Sequence, residues 1–193
     1  MNQERTILGI DPGTQMIGWG VIRVTNNRPI FVAMGVVSLK SSKDHFARLG
    51  RIFEEISGLI KKFSPTEFAI ESPFYGKNVQ SMLKLGRAQG IAIAAALGAG
   101  LPVCEYAPRK IKLSITGKGA SSKEQVSAVV RAILKVEQIP DSYDATDGLA
   151  AALCHFLSGS VPLAVRANDK SRKQNGRRKG WKDFLKSNPG RVK

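Results

Sequence analysis

The order in which apolar patterns change along the chain restricts its fold more than any single motif. Three strand-like runs come first, at residues 6–10, 17–24 and 29–39. Asn26 and Asn27 separate the second from the third, and asparagine tolerates the positive φ of a hairpin turn. Phe46, Leu49, Phe53, Ile56, Ile60 and Phe63 then recur at spacings of three and four, which predicts a helix capped by Ser41 or Ser42. A strand follows at 68–72, then a loop at 73–77, a long helix over about 78–97 and a strand at 101–106.

Pro108 suits the first position of a short helix ending near Gly117. Ser121 and Glu124 read as a capping box for a helix with Val126, Val129, Val130, Ile133 and Leu134 on one face. Asp141 or Ser142 is placed to cap a last helix running to about Leu157. Antiparallel strands first, then alternating strands and helices, imply a mixed sheet covered by helices. Right-handed crossovers set the two later strands parallel to the first. Ligands in such sheets lie at the carboxyl ends of the strands.

Charge narrows the partners. Thirty basic residues against fifteen acidic give +15, an imbalance that points to a polyanion. Eleven basic and two acidic residues lie from Pro162 onward, a net of +9, which leaves +6 for the rest. The expected organisation is a folded domain over 1–160 and a basic, mostly flexible tail over 161–193, in which Trp181, Phe184 and Leu185 offer a short docking segment. No apolar run reaches the roughly 20 residues of a membrane span. The opening MNQERTILGI carries no signal-peptide pattern, so the expected location is the cytoplasm. Cys104 and Cys154, in apolar surroundings, read as reduced interior thiols.

Four acids stand out by position. Asp11 ends the first strand and Glu71 nearly ends the fourth, so neighbouring parallel strands would bring both to one sheet edge. Asp144 and Asp147 are three apart on the last helix and share a face with Gly148, Ala151 and, more loosely, His155. Small residues there let the helix lie close to the sheet. Each acid also has an ordinary explanation: a turn at Asp11, a satisfied strand end at Glu71, a first-turn dipole partner at Asp144 and Asp147. Gathered in one pocket, four carboxylates repel unless cations neutralise them, and all-oxygen ligation suits Mg2+ or Mn2+. Two such ions can cut a phosphodiester.

The segments ILGIDPGTQMIGWGVI, FAIESPFYGKN, LKLGRAQG, the run from Glu105 to Val126, and DATDGLAAAL resemble the RuvC Holliday-junction resolvases of bacteria, in the expected order over about residues 6–158. The resemblance implies an α/β, ribonuclease-H-like fold: a five-stranded mixed sheet flanked by helices on both faces. It implies a homodimer that makes paired symmetric nicks across a four-way DNA junction, leaving 5′-phosphates and 3′-hydroxyls. It places the metal-binding carboxylates on Asp11, Glu71, Asp144 and Asp147, with two Mg2+ ions per site.

It also carries over Lys112 and Lys123, near the catalytic centre, and Phe74, which would probe the junction core. An ammonium there would hold the scissile phosphate, although both lysines also read as solvated helix residues. Tyr75 is either a second stacking ring or packing beneath the loop. Lys77, Lys84, Arg87, Arg109 and Lys118 are candidate phosphate contacts. A branch-migration complex like RuvA–RuvB is an implied partner.

Three other readings stay open: an actin- or sugar-kinase-like ATPase, sharing the Asp-x-Gly-Thr opening; a non-catalytic nucleic-acid binder; and a related nuclease for RNA or other branches. The ATPases have two related lobes and a second phosphate loop, which this chain does not show.

Overall fold

The computed structural model describes residues 4–40, 44–73, 78–137 and 144–159. In chain order the elements are β1 (Arg5–Asp11), β2 (Met16–Thr25), β3 (Arg28–Ser38), α1 (His45–Phe63), β4 (Glu67–Glu71), α2 (Val79–Gly98), β5 (Val103–Tyr106), α3 (Pro108–Thr116), α4 (Lys123–Leu134) and α5 (Asp144–Ser158). The sheet order is β3-β2-β1-β4-β5. β1–β2 and β2–β3 pair antiparallel, whereas β1–β4 and β4–β5 pair parallel. This is the mixed sheet that the element order implies, in the ribonuclease-H-like arrangement that the resemblance implies.

β1 and β4 are buried on both sides, and the strand period of two assigns each residue of the parallel half to a layer. Leu8, Ile10, Phe68 and Ile70 face α1 and α2. Ile7, Ala69 and Cys104 face α3, α4 and α5. Leu149 and Leu153 of α5 are fully buried, each stabilising the fold by about 1.5–3 kcal/mol, whereas Leu157 near its end is 46% exposed. Asn26 and Asn27 take φ of 52° and 58°, the two positive values a tight hairpin needs. Cys104 and Cys154 are buried free thiols.

Several local expectations shift. The N-cap of α1 is Asp44, which accepts a hydrogen bond from the Ala47 N–H at 2.8 Å; Ser41 and Ser42 lie outside the described residues, as do Asp141 and Ser142. Phe46 and Phe53 do not join the buried face of α1, being 78% and 49% exposed; Ile52, Ile56 and Leu59 form it. The capping box of α4 is Ser122 with Gln125, one residue beyond Ser121 and Glu124. The Ser121 hydroxyl is already engaged, donating to the Lys118 carbonyl at 3.0 Å and lying 2.8 Å from Thr116 Oγ1. Ile133 is 40% exposed rather than core. β5 starts at Val103, because residues 100–102 complete the turn after α2: Gly100 takes φ of 75° and the Leu101 N–H returns to the Ala96 carbonyl.

Candidate active site

The strand period decides which way the first two acids point. Asp11 falls on the same face as Ile7 and Gly9, and Glu71 on the same face as Ala69. Ile10 pairs with Ile70 across the parallel β1–β4 ladder, so the two carboxylates leave adjacent strands at one edge, toward α5.

α5 reaches that edge because the sheet beneath it lacks side chains. Gly18, the β2 partner of Asp11, lies so close to the Asp144 carbonyl that a Cβ would collide with it. A Cβ on Gly148 would come within 2.5 Å of the Trp19 Cα. Backbone thus rests on backbone, and Asp144 and Asp147 in the first turn of α5 arrive beside Asp11. Asp11, Asp144 and Asp147 each offer a carboxylate oxygen within 4.8 Å of the others. Glu71 stands outside that triplet but lines the same pocket as Asp11 and Asp147, a cavity of about 120 Å3 that also includes Lys112, Lys123 and Ile111.

The electrostatics follow from crowding. Burial, reinforced by Asp147 and Asp144, pushes the Asp11 carboxyl up to about 7 against the opposing pull of Lys123. Burial with the Asp11 and Asp147 charges pushes Glu71 up to about 8, although Lys123 and Lys112 favour its ionised form. Lys123, at the first position of α4, places Nζ 2.6 Å from Asp147 Oδ2. Partial burial works against its charge, but the hydrogen bond and charge of Asp147, with Asp11 and Asp144, hold its pKa above the usual lysine value.

The donor set is all oxygen and strongly repulsive, which is what a hard divalent cation relieves. On that ground the cluster of Asp11, Asp144 and Asp147, with Glu71 in the same pocket as Asp11 and Asp147, is suited to a hard divalent cation.

Lys118 is exposed on the α3–α4 loop, whose shape is fixed by Thr116 and Ser121 hydrogen bonds to the Lys118 carbonyl. Arg109 is exposed and lays its alkyl stem against Gly119. Lys84 and Arg87 are exposed on α2 and do not line the acid pocket. Phe74, Tyr75 and Lys77 lie outside the described residues.

Two supports escape the sequence reading. Gln89, buried in α2, donates from Nε2 to the Glu71 carbonyl at 3.3 Å and to Glu105 Oε1 at 2.9 Å, which fixes the end of β4. An amide among the alanines of α2 was its one signal. His155 is not a ligand: it is buried, its Nε2 donates to Glu67 Oε2 at 2.6 Å, and its Nδ1 faces the Tyr106 hydroxyl at 2.7 Å. That chain ties α5 to β4 and β5.

A ribonuclease-H-like sheet with clustered carboxylates at the carboxyl ends of its central strands defines the class. A family model described as crossover junction endodeoxyribonuclease RuvC matches residues 7–155, and the chain belongs to that family. It is 51% identical to the crossover junction endodeoxyribonuclease RuvC of Porphyromonas gingivalis, over 99% of this chain and 98% of the relative. The Bacteroides fragilis RuvC is 50% identical over 99% and 97%. Among solved structures, Thermus thermophilus RuvC in complex with a Holliday junction substrate superposes with a TM-score of 0.74 at 31% identity, covering 80% of this chain and 94% of that one.

Proposed function

We propose that this chain is a structure-selective endodeoxyribonuclease that resolves four-way junctions by paired symmetric nicks, with Asp11, Glu71, Asp144 and Asp147 holding two Mg2+ ions for hydrolysis, in recombination and DNA repair. The observation that carries it is the gathering, from two strands and a helix far apart in sequence, of Asp11 with Asp144 and Asp147, and of Asp11 and Asp147 with Glu71, Lys112 and Lys123 in one pocket. The junction-bound relative of similar fold supports the substrate class.

When bound, Mg2+ supplies the Lewis-acid charge that activates a water and the phosphodiester toward each other, and Mn2+ is expected to substitute. The protein's own groups do the rest. The four carboxylates set where positive charge accumulates. Lys123, anchored on Asp147, and Lys112 face the same pocket and stabilise the negative charge that grows on the phosphate during attack. Arg109 and Lys118, with Phe74, Tyr75, Lys77, Lys84 and Arg87, form the DNA-contacting set, and Phe74 stacks at the branch point.

The working unit is a homodimer. Val79, Leu83 and Leu97 are exposed along one stripe of α2, with Gly86 and Gly90 between them, and a second copy of this face would cover it. Two active sites about a two-fold axis match the near two-fold junction. The basic tail over 161–193 is a separate DNA- or complex-binding segment. A branch-migration complex and a cytoplasmic setting complete the reading.

The test is a labelled synthetic four-way junction with Mg2+. Paired nicks are expected, and Asp11→Asn should bind the junction without cutting it. Duplex cut as fast as junction would reject the substrate, and unimpaired cutting by Asp11→Asn would reject the site.

A further inference from the structure

On the opposite side of the sheet from the acids, a small pocket opens where α1 meets α2. Thr14 from the loop after β1, His45 and Arg48 from the first turn of α1, and Lys84 of α2 line it, above an apolar floor that includes Ile52 and Ala88. Two cations and an imidazole converge there, and among the described residues no carboxylate lines the pocket. Among the described residues, His45 Nε2 and Arg48 Nε are buried without a hydrogen-bond partner. Leaving such a group unsatisfied is costly, more so when it is charged, and a guanidinium cannot escape by losing its proton. The arrangement therefore asks for an acceptor, and a negatively charged one.

Size limits what that acceptor is. The cavity is about 20 Å3, enough for one water-sized group and too small for a base or a nucleotide. An oxygen of a phosphodiester, reaching in from outside, fits. Position says which phosphodiester. Thr14 is three residues beyond Asp11, so their Cα atoms are at most roughly 11 Å apart. Ala88 precedes Gln89, which holds the Glu71 carbonyl. The pocket thus lies near the acid-bearing edge but on the α1–α2 side, so a strand crossing that edge passes both.

We infer that Thr14, His45, Arg48 and Lys84 form a second phosphate seat, which holds a backbone phosphate of the junction strand near the one being cut. This rests on the junction-nuclease reading. Its role is to fix the path of the strand, since phosphate contacts set register without reading sequence.

The test is binding of a synthetic four-way junction, with Ca2+ replacing Mg2+, followed by fluorescence anisotropy across a salt series. One lost phosphate contact flattens the slope of log K against log salt by about one unit. Arg48→Ala and Lys84→Ala, made separately, should each do so and weaken binding about tenfold. Lys84 is exposed, so its variant stays informative even if the part-buried Arg48 variant folds poorly. Lys61→Ala, at the far end of α1, is the control and should keep the slope. Slopes unchanged in Lys84→Ala, or flattened equally in Lys61→Ala, would overturn the seat and leave a bound water or a diffuse basic field in its place. Junction cutting by the wild-type protein, run alongside, tests the underlying reading separately.

Discussion

Removing one acid should stabilise the metal-free protein while abolishing its chemistry. Asp11 is raised from 3.8 to about 7 and Glu71 from 4.5 to about 8, both chiefly by burial and then by neighbouring acids. The folded state therefore holds protons that the unfolded chain releases. The stability linked to these groups is fully present below about pH 4 and is lost as the pH rises through 7 and 8. For Asp11 the shift is roughly three units, an upper bound of about 4 kcal/mol at about 1.4 kcal/mol per unit. The pocket opens to solvent, which screens part of this, and a buried amide in place of the carboxylate forfeits about 1 kcal/mol of hydrogen bonding. Asp11→Asn should therefore gain on the order of 2 kcal/mol at pH 8.5 in EDTA, some 4–8 °C in Tm for a chain of this length. Thermal and urea unfolding in EDTA between pH 6 and 8.5 measures it. The wild type should lose stability across that range, and Asp11→Asn should lose less. Excess Mg2+ should restore the wild type and leave the variant nearly unmoved. An Asp11→Asn protein less stable than wild type at pH 8.5 in EDTA would refute the reasoning.

Lys123→Gln removes an ion pair whose lysine is 56% exposed, so stability should change by less than about 1 kcal/mol. Single-turnover junction cleavage by it should nevertheless fall about a hundredfold, because the proposed mechanism sets this charge against the phosphate. Gly148→Val forces a side chain against the Trp19 backbone and lifts α5 off the sheet; unfolding should show a loss of about 1–3 kcal/mol, with cleavage reduced at least tenfold. At Glu67, burial alone would raise the carboxyl, but the His155 hydrogen bond and Arg5 outweigh it and hold its pKa below the usual value. The stability it contributes is present above about pH 4.5 and lost as the pH falls through the folded value. Glu67→Gln should accordingly flatten the acid side of a urea-midpoint profile between pH 3 and 6.

The site was legible because its acids sit at places local pattern can identify. Asp11 is the residue where a buried strand meets Pro12-Gly13, and Asp144 and Asp147 share a helix face by spacing alone. Parallel pairing of β1 with β4 then follows from crossover handedness. What the pattern missed is mostly nonlocal or a near tie. Glu67 and His155 are 88 residues apart, and no periodicity connects them through a buried imidazole. Gln89 reaches a β4 carbonyl that only the packed structure brings near. Phe46 and Phe53 satisfy the same helical spacing as Ile56 and Ile60, yet a rotation of the helix decides which stripe meets the sheet. Ser121 and Ser122 are chemically equal candidates for the α4 cap, and Thr116 decides between them by taking Ser121.

The most direct measurement is anomalous scattering from crystals soaked in Mn2+. The account predicts density bounded by the carboxylates of Asp11, Glu71, Asp144 and Asp147, lost in Asp11→Asn crystals. No density there, or density that persists without Asp11, would contradict it.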